Sequence, residues 1–125
     1  RGEIKAIVLS ASLRLKNSTK EEVSVKIEQF SERRKATQPP GASMGSMFKN
    51  PVGDHAGRLI EAAGLKGTRI GTAEISTLHG NFFVSHGETK AEDVRALIRL
   101  AQKTVAEKFN VMLELEVELV GEWTE

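Results

Sequence analysis

Apolar positions recur along this chain with two different periods, and the switches between them divide it into elements. From Ile4 to Leu15 the period is two, with Ile7, Leu9, Ala11, Leu13 and Leu15 on one face and Ile4, Ala6 and Val8 on the other. That pattern predicts a strand, apolar on both sides at its start. Such a strand is normally central, so the expectation is a chain that forms the C-terminal part of something longer. Thr19 followed by Glu22 makes a capping box that starts a helix, and Val23, Ile27 and Phe30 recur at helical spacing as its expected buried stripe. Arg33, Arg34 and Lys35 fall in the last turn, where the helix dipole favours cations, and Gln38-Pro39-Pro40 ends the helix.

Gly41 to Pro51 reads as an irregular polar stretch with Phe48 as its apolar pin. Asp54 is the expected N-cap of a short helix that buries Leu59, Ile60 and Ala63 and stops at Gly64. Leu65 to Thr72 reads as loop. Ala73–Thr77 and Asn81–Ser85 read as two short strands joined by a turn at Leu78-His79-Gly80. Thr89 and Glu92 form a second capping box, and the helix after it carries Val94, Leu97, Ile98, Ala101, Val105 and Phe109 on one face until Asn110. Val111 to Gly121 alternates, with Leu113, Leu115, Val117 and Leu119 inward and Glu114, Glu116 and Glu118 outward, which predicts a final strand. The sum is a two-layer α+β domain, a small, mostly antiparallel sheet packed against two long helices and one short one.

Composition narrows the partners. A chain of 125 residues with net charge +1 fits one domain and has no pull towards nucleic acid or an anionic membrane. No apolar run approaches the roughly 20 residues that span a bilayer. The absence of Cys excludes disulfides and thiolate metal sites, and fits a cytoplasmic protein.

Several candidate chemistries are weak on spacing alone. Gly41-Ala42-Ser43-Met44-Gly45 matches the G-x-S-x-G elbow of serine hydrolases, but Pro39-Pro40 stands where the elbow needs a strand and no helix follows directly. Ser43 is therefore read as a loop residue. His55, His79 and His86 lack the i, i+4 spacing of a metal pair, so no metal is expected. Gly64, Gly67 and Gly71 lack the G-x-G-x-x-G fingerprint and read as turn glycines. Glu114, Glu116 and Glu118, about 7 Å apart along a strand, have the pattern of a solvated face.

One stretch stands out by resemblance. Gly45-Ser46-Met47-Phe48-Lys49-Asn50-Pro51 resembles the active-site signature of the UDP-N-acetylenolpyruvoylglucosamine reductase (MurB) family. Arg34 with Gln38-Pro39 resembles that family's approach to the serine. Gly57-Arg58-Leu59-Ile60-Glu61, Gly64-Leu65-Lys66-Gly67, Arg69-Ile70-Gly71, the run from Glu74 to Phe82, and Glu116-Val117 with Gly121-Glu122 resemble later segments in order.

The resemblance implies the C-terminal substrate-binding domain of a flavoenzyme of peptidoglycan synthesis. There NADPH reduces FAD, and the flavin passes hydride to the enolpyruvyl double bond of UDP-N-acetylglucosamine enolpyruvate. It implies Ser46 as the proton donor to the neighbouring carbon and Glu116 as the carboxylate assisting at the enol. Asn50 and Lys49 match substrate-binding positions, and Arg34 lies on the approach and joins that substrate-binding set. It also implies that residues 1–17 lead from a preceding flavin-binding domain and that 18–125 form the substrate domain. FAD and NADPH would then belong to the full-length enzyme and neither to this stretch alone, which is expected to be inactive by itself.

The family's catalytic arginine has no counterpart here, and neither does a lysine that some members carry just before the proline near position 39. Leu65 to Thr77 is too short for the tyrosine loop of one subgroup, so the shorter subgroup matches better. A catalytically silent binding or interaction module of the same fold is the alternative, and one with no need for Ser46, Asn50 and Glu116 all to match.

Overall fold

The computed structural model describes residues 7–123. Helix α1 (Lys20–Thr37) is followed by β1 (Ala42–Ser46), α2 (Ala56–Ala62), β2 (Arg69–Ile70), β3 (Ala73–Ile75), β4 (Phe82–Ser85) and α3 (Ala91–Phe109). The four strands form one antiparallel sheet in the order β1-β4-β3-β2. The expected α+β class and antiparallel sheet stand. Helix α3 lies on β2 and β3 and meets α2, burying Leu97, Ile98, Ala101 and Val105 against Ile75, Phe83, Leu59 and Ile60. Its stripe matches the sequence pattern, except that Phe109 at its end is exposed.

The N-terminal expectations divide by range. Thr19 caps α1 as its pattern requires: its Oγ1 accepts the Glu22 N–H at 3.2 Å. The Ser18 hydroxyl and the Thr19 N–H in turn hold the Glu22 carboxyl below its usual pKa. The stripe, however, is not buried. Val23, Ile27 and Phe30 are 44%, 61% and 64% exposed, and no residue of α1 is buried. A cap is a local bond, whereas a stripe is buried only where a second surface is laid on it. The expected strand from Ile4 fails for the same reason. Residues 7–15 carry no strand pairing and are exposed, since no strand among the described residues offers them a ladder; Ile4 and Ala6 lie outside the described residues. Of the two long helices, only α3 covers the sheet.

Other boundaries moved. Two strands, β1 and β2, occupy stretches read as irregular, so Ser43 lies on a strand, pairing with Val84, and not in a loop. Between Ser43 and Ser46 the register against β4 slips by one residue. Gly45, at φ +81°, takes up this bulge and re-aims Ser46 relative to Ser43. The N-caps sit one residue later than expected, at His55 and Lys90. Thr89 instead shares its hydroxyl with Thr72 at 2.8 Å and Ser85 at 2.7 Å, tying the start of α3 to the sheet. The last expected strand shrinks to a single bridge, Phe48 to Leu115. Leu113 is buried, and its carbonyl is held by Gln102 Nε2 at 2.8 Å, while Glu118 to Val120 are exposed.

Asp54 keeps a role at the start of α2 without being its N-cap. Its carboxylate accepts the His55 N–H at 2.7 Å and Arg58 Nε at 2.6 Å, and Arg58 Nη2 closes a second bond. The Arg58 pair, and next the His55 N–H, lower the Asp54 pKa from 3.8 to about 2.

The packing and charge patterns each give an expected outcome. Replacing Leu97, fully buried, by Ala costs about 2–5 kcal/mol of unfolding free energy. Replacing Ile27 by Ala in the same chain changes stability by about 0.5 kcal/mol or less; denaturant unfolding of both variants checks the contrast. For Asp54, the folded carboxyl is the stronger acid, so its contribution is present above pH 3.8 and is lost as pH falls towards 2. Carboxyl NMR titration of the folded chain should find Asp54 changing charge near pH 2, and Arg58→Ala should move that midpoint up towards 3.8.

Candidate active site

The stretch 46–50 runs through the middle of the molecule, held on both sides by main-chain bonds. Met47 donates its N–H to the Asn81 carbonyl at 2.9 Å. The buried Asn81 side chain then grips the next residue twice: Oδ1 accepts the Phe48 N–H at 2.9 Å and Nδ2 donates to the Phe48 carbonyl at 2.8 Å. On the opposite edge Glu116 donates its N–H to the Met47 carbonyl, and Lys49 donates its own to the Glu114 carbonyl, both at 2.9 Å. Met47 and Phe48 are buried, and Phe48 meets the Phe83 ring edge-on at 6.1 Å. The expected apolar pin is therefore real. Its polar neighbours Ser46, Lys49 and Asn50 are left at the surface.

Ser46 opens onto a groove of about 290 Å³ whose walls include Asn50, Arg58, Glu61, His79 and Asn81. Asn50 bridges this groove to α2, since its Oδ1 accepts the Ala56 N–H at 3.1 Å. His79 forms part of the floor. Its Nδ1 accepts the Asn81 N–H at 3.1 Å, which leaves the proton of the neutral ring on Nε2. The ring stacks edge-on to Phe82 at 4.9 Å and lies so close to α2 that a Cβ on Gly57 would fall 2.8 Å from Cε1. A glycine at 57 is what lets helix and histidine share the space.

The residues singled out by sequence are partly brought together. Ser46 and Asn50 share the groove. Lys49 turns to a neighbouring cavity of about 310 Å³, also lined by Asn50, Val52 and Met112, and pairs there with Glu114 at 3.1 Å. Glu116 is half-buried one residue along the pairing from Ser46, through its bond to Met47, and is not among the groove's lining residues. Arg34 lies at the end of α1 with Gln38, Pro39 and Pro40, in a separate cavity of about 290 Å³. Sequence reading missed His79 and Asn81 as groove residues.

Among the described residues no three His, Asp or Glu side chains gather as a metal ion would require. Glu74, buried beside the sheet edge, is matched by Arg69 and by His86 Nε2 at 2.8 Å. Gly64, Gly67 and Gly71 all close turns at positive φ.

Known proteins match this sequence and fold. The family model described as UDP-N-acetylenolpyruvoylglucosamine reductase, C-terminal domain, matches residues 36–120. Proteins named UDP-N-acetylenolpyruvoylglucosamine reductase are 51% identical in Chloroflexus aggregans, over 91% of this chain and 38% of the relative, and 49% identical in Caldicellulosiruptor bescii, over 97% and 40%. One from Bacillus licheniformis is 42% identical over 98% of this chain and 67% of its own length. The crystal structure of UDP-N-acetylenolpyruvylglucosamine reductase (MurB) from Thermus caldophilus superposes with a TM-score of 0.69 at 46% identity, covering 84% of this chain and 37% of that one. The chain thus spans 38% and 40% of the length of the first two relatives. It belongs to the UDP-N-acetylenolpyruvoylglucosamine reductase family, as that family's C-terminal domain.

Proposed function

We propose that this chain is the substrate-binding part of a reductase that converts UDP-N-acetylenolpyruvoylglucosamine to UDP-N-acetylmuramate in peptidoglycan synthesis. The observation that carries the reading is the groove in which Ser46 and Asn50 meet, within a chain matched to the family over residues 36–120. On this reading residues 1–17 lead from the flavin-binding domain and 18–125 form the substrate domain, in keeping with a chain that covers 38% of the Chloroflexus relative.

The groove's volume of about 290 Å³ sits at the low end of ligand pockets, which run to about 1,000 Å³. It suits the reacting end of a nucleotide sugar and is too small for a flavin dinucleotide. FAD, with NADPH as its reductant, is assigned to the remainder of the full-length enzyme; when bound there, it supplies the hydride for the enolpyruvyl double bond.

What falls to this chain is placement and a proton. Ser46 Oγ holds the proton for the carbon next to the one that has taken hydride. A hydroxyl is a weak acid, so it serves only a strongly basic carbon held within reach, with donors stabilising the enolate oxygen. Glu116 assists at that enol from the segment paired with Met47. The NH₂ end of Asn50 and the Lys49 ammonium are the substrate's polar anchors, and Lys49 must leave Glu114 to reach an anion. Arg34 is assigned to a more distant part of the ligand.

The test is the full-length flavoenzyme containing this chain, assayed for NADPH oxidation with the enolpyruvyl substrate. Ser46→Ala should lower turnover by roughly 10²–10⁴-fold, the usual worth of a positioned acid, while flavin is still reduced by NADPH. An undiminished rate would remove Ser46 from the chemistry.

A further inference from the structure

Asn81 is one of the few buried polar residues among the described residues, with a relative exposure of 3%. It spends every hydrogen-bonding group it has on the groove's frame. The carboxamide closes a two-bond ring on Phe48, the carbonyl takes the Met47 N–H, and the N–H goes to His79 Nδ1. Only residues on the C-terminal side of Ser46 are held in this way. On its N-terminal side stands Gly45 at φ +81° in a bulge, where the ladder to β4 is broken. The main chain that aims the Ser46 hydroxyl is therefore bulged on one side, and on the other it is held by the Asn81 carboxamide together with the main-chain bonds of Met47 and Lys49.

We infer that Asn81 is a positioning residue: it makes no bond to a reacting atom, and it fixes the main chain from which Ser46 reaches the substrate, together with the ring of His79. This rests on the reading of Ser46 given above. The residue type matters because one flat group must accept from an N–H and donate to a C=O at the same time, which a carboxamide does and a carboxylate does not. In Asn81→Asp the acceptor for the Phe48 N–H survives, but the second oxygen faces the Phe48 carbonyl. Protonating that new carboxyl restores a donor.

The experiment uses the full-length flavoenzyme with Asn81→Asp and Asn81→Ala, read by steady-state kinetics and by hydrogen exchange of the peptide spanning residues 44–50. Exchange in that peptide should quicken in both variants. Turnover should fall by about 10²-fold, the effect of an ångström-scale misplacement, with KM and flavin content kept. The Asn81→Asp deficit should shrink as pH is lowered, whereas the Asn81→Ala deficit should not. Unchanged exchange, unchanged turnover, or loss of KM and turnover together with flavin would each overturn the proposal, the last by making Asn81 a merely structural residue. If the unmodified enzyme does not reduce the enolpyruvyl substrate, the reductase reading falls separately. Exchange of residues 44–50 then decides alone whether Asn81 fixes the segment.

Discussion

The structure depends on one side chain that substitutes for a strand. Residues 47–49 need partners on two edges, yet β4 has already slipped register at Ser46 and the closing segment 114–116 supplies only one side. The Asn81 carboxamide fills the missing place by bonding Phe48 as a neighbouring peptide unit would. Without it, a buried N–H and a buried C=O lose their partners at about 1–3 kcal/mol each. That sum is a large share of the 5–15 kcal/mol by which a domain of this size is stable. The same residue sits where the sheet, the turn at His79 and the central segment meet, so packing and site geometry share a cause.

Glycine does the complementary work. Gly80 lies under α2, where a Cβ would come 2.8 Å from the Gly57 carbonyl oxygen, and Gly57 in turn leaves room for His79. Helix α2 therefore rests directly on the turn before β4. That closeness brings Arg58 and Glu61 to the rim of a groove floored by His79 and Asn81. Buried Leu59 and Ile60 anchor the opposite face of this short helix in the core beneath α3.

Legibility followed range. Bonds between near neighbours were readable: the Thr19–Glu22 cap, the cations at the end of α1, the left-handed stop at Asn110 and the 3.6-residue stripe of α3. Where the outcome hangs on a distant partner, pattern alone misled. The stripe of α1 and the alternation from Ile7 to Leu15 are equally regular, yet both face solvent. The alternation after Val111 secures only one bridge, because the central segment offers just residues 47–49 to pair with. Conversely, β1 was hidden by its composition of small residues and glycine, which carries no periodic signal. Of the site, the cluster around Ser46 was visible by likeness, and its contact with the segment of Glu116 emerged only from the fold. Asn81 was invisible because a polar residue at a strand's start reads as a turn former, and nothing local reveals that it is buried.

The charges around the groove are already spoken for. Arg58 is held at two points by Asp54, Lys66 pairs with Glu61 at 3.0 Å, and Lys49 with Glu114 at 3.1 Å. An anionic ligand must therefore compete for each cation with a carboxylate. These pairs are solvent-facing and weak singly, so exchange of partner is cheap for Lys49, half-exposed on a flexible stem. It is dearer for Arg58, whose planar fork fits Asp54 with two bonds. The asymmetry makes Lys49 the cation that can exchange its partner and Arg58 a fixed wall. Between them the groove presents the hydroxyl of Ser46, the amide end of Asn50 and the imidazole of His79, with the Glu116 carboxylate outside its lining. Uncharged donors thus face the groove, while the cations stand at its rim, each already held by a carboxylate.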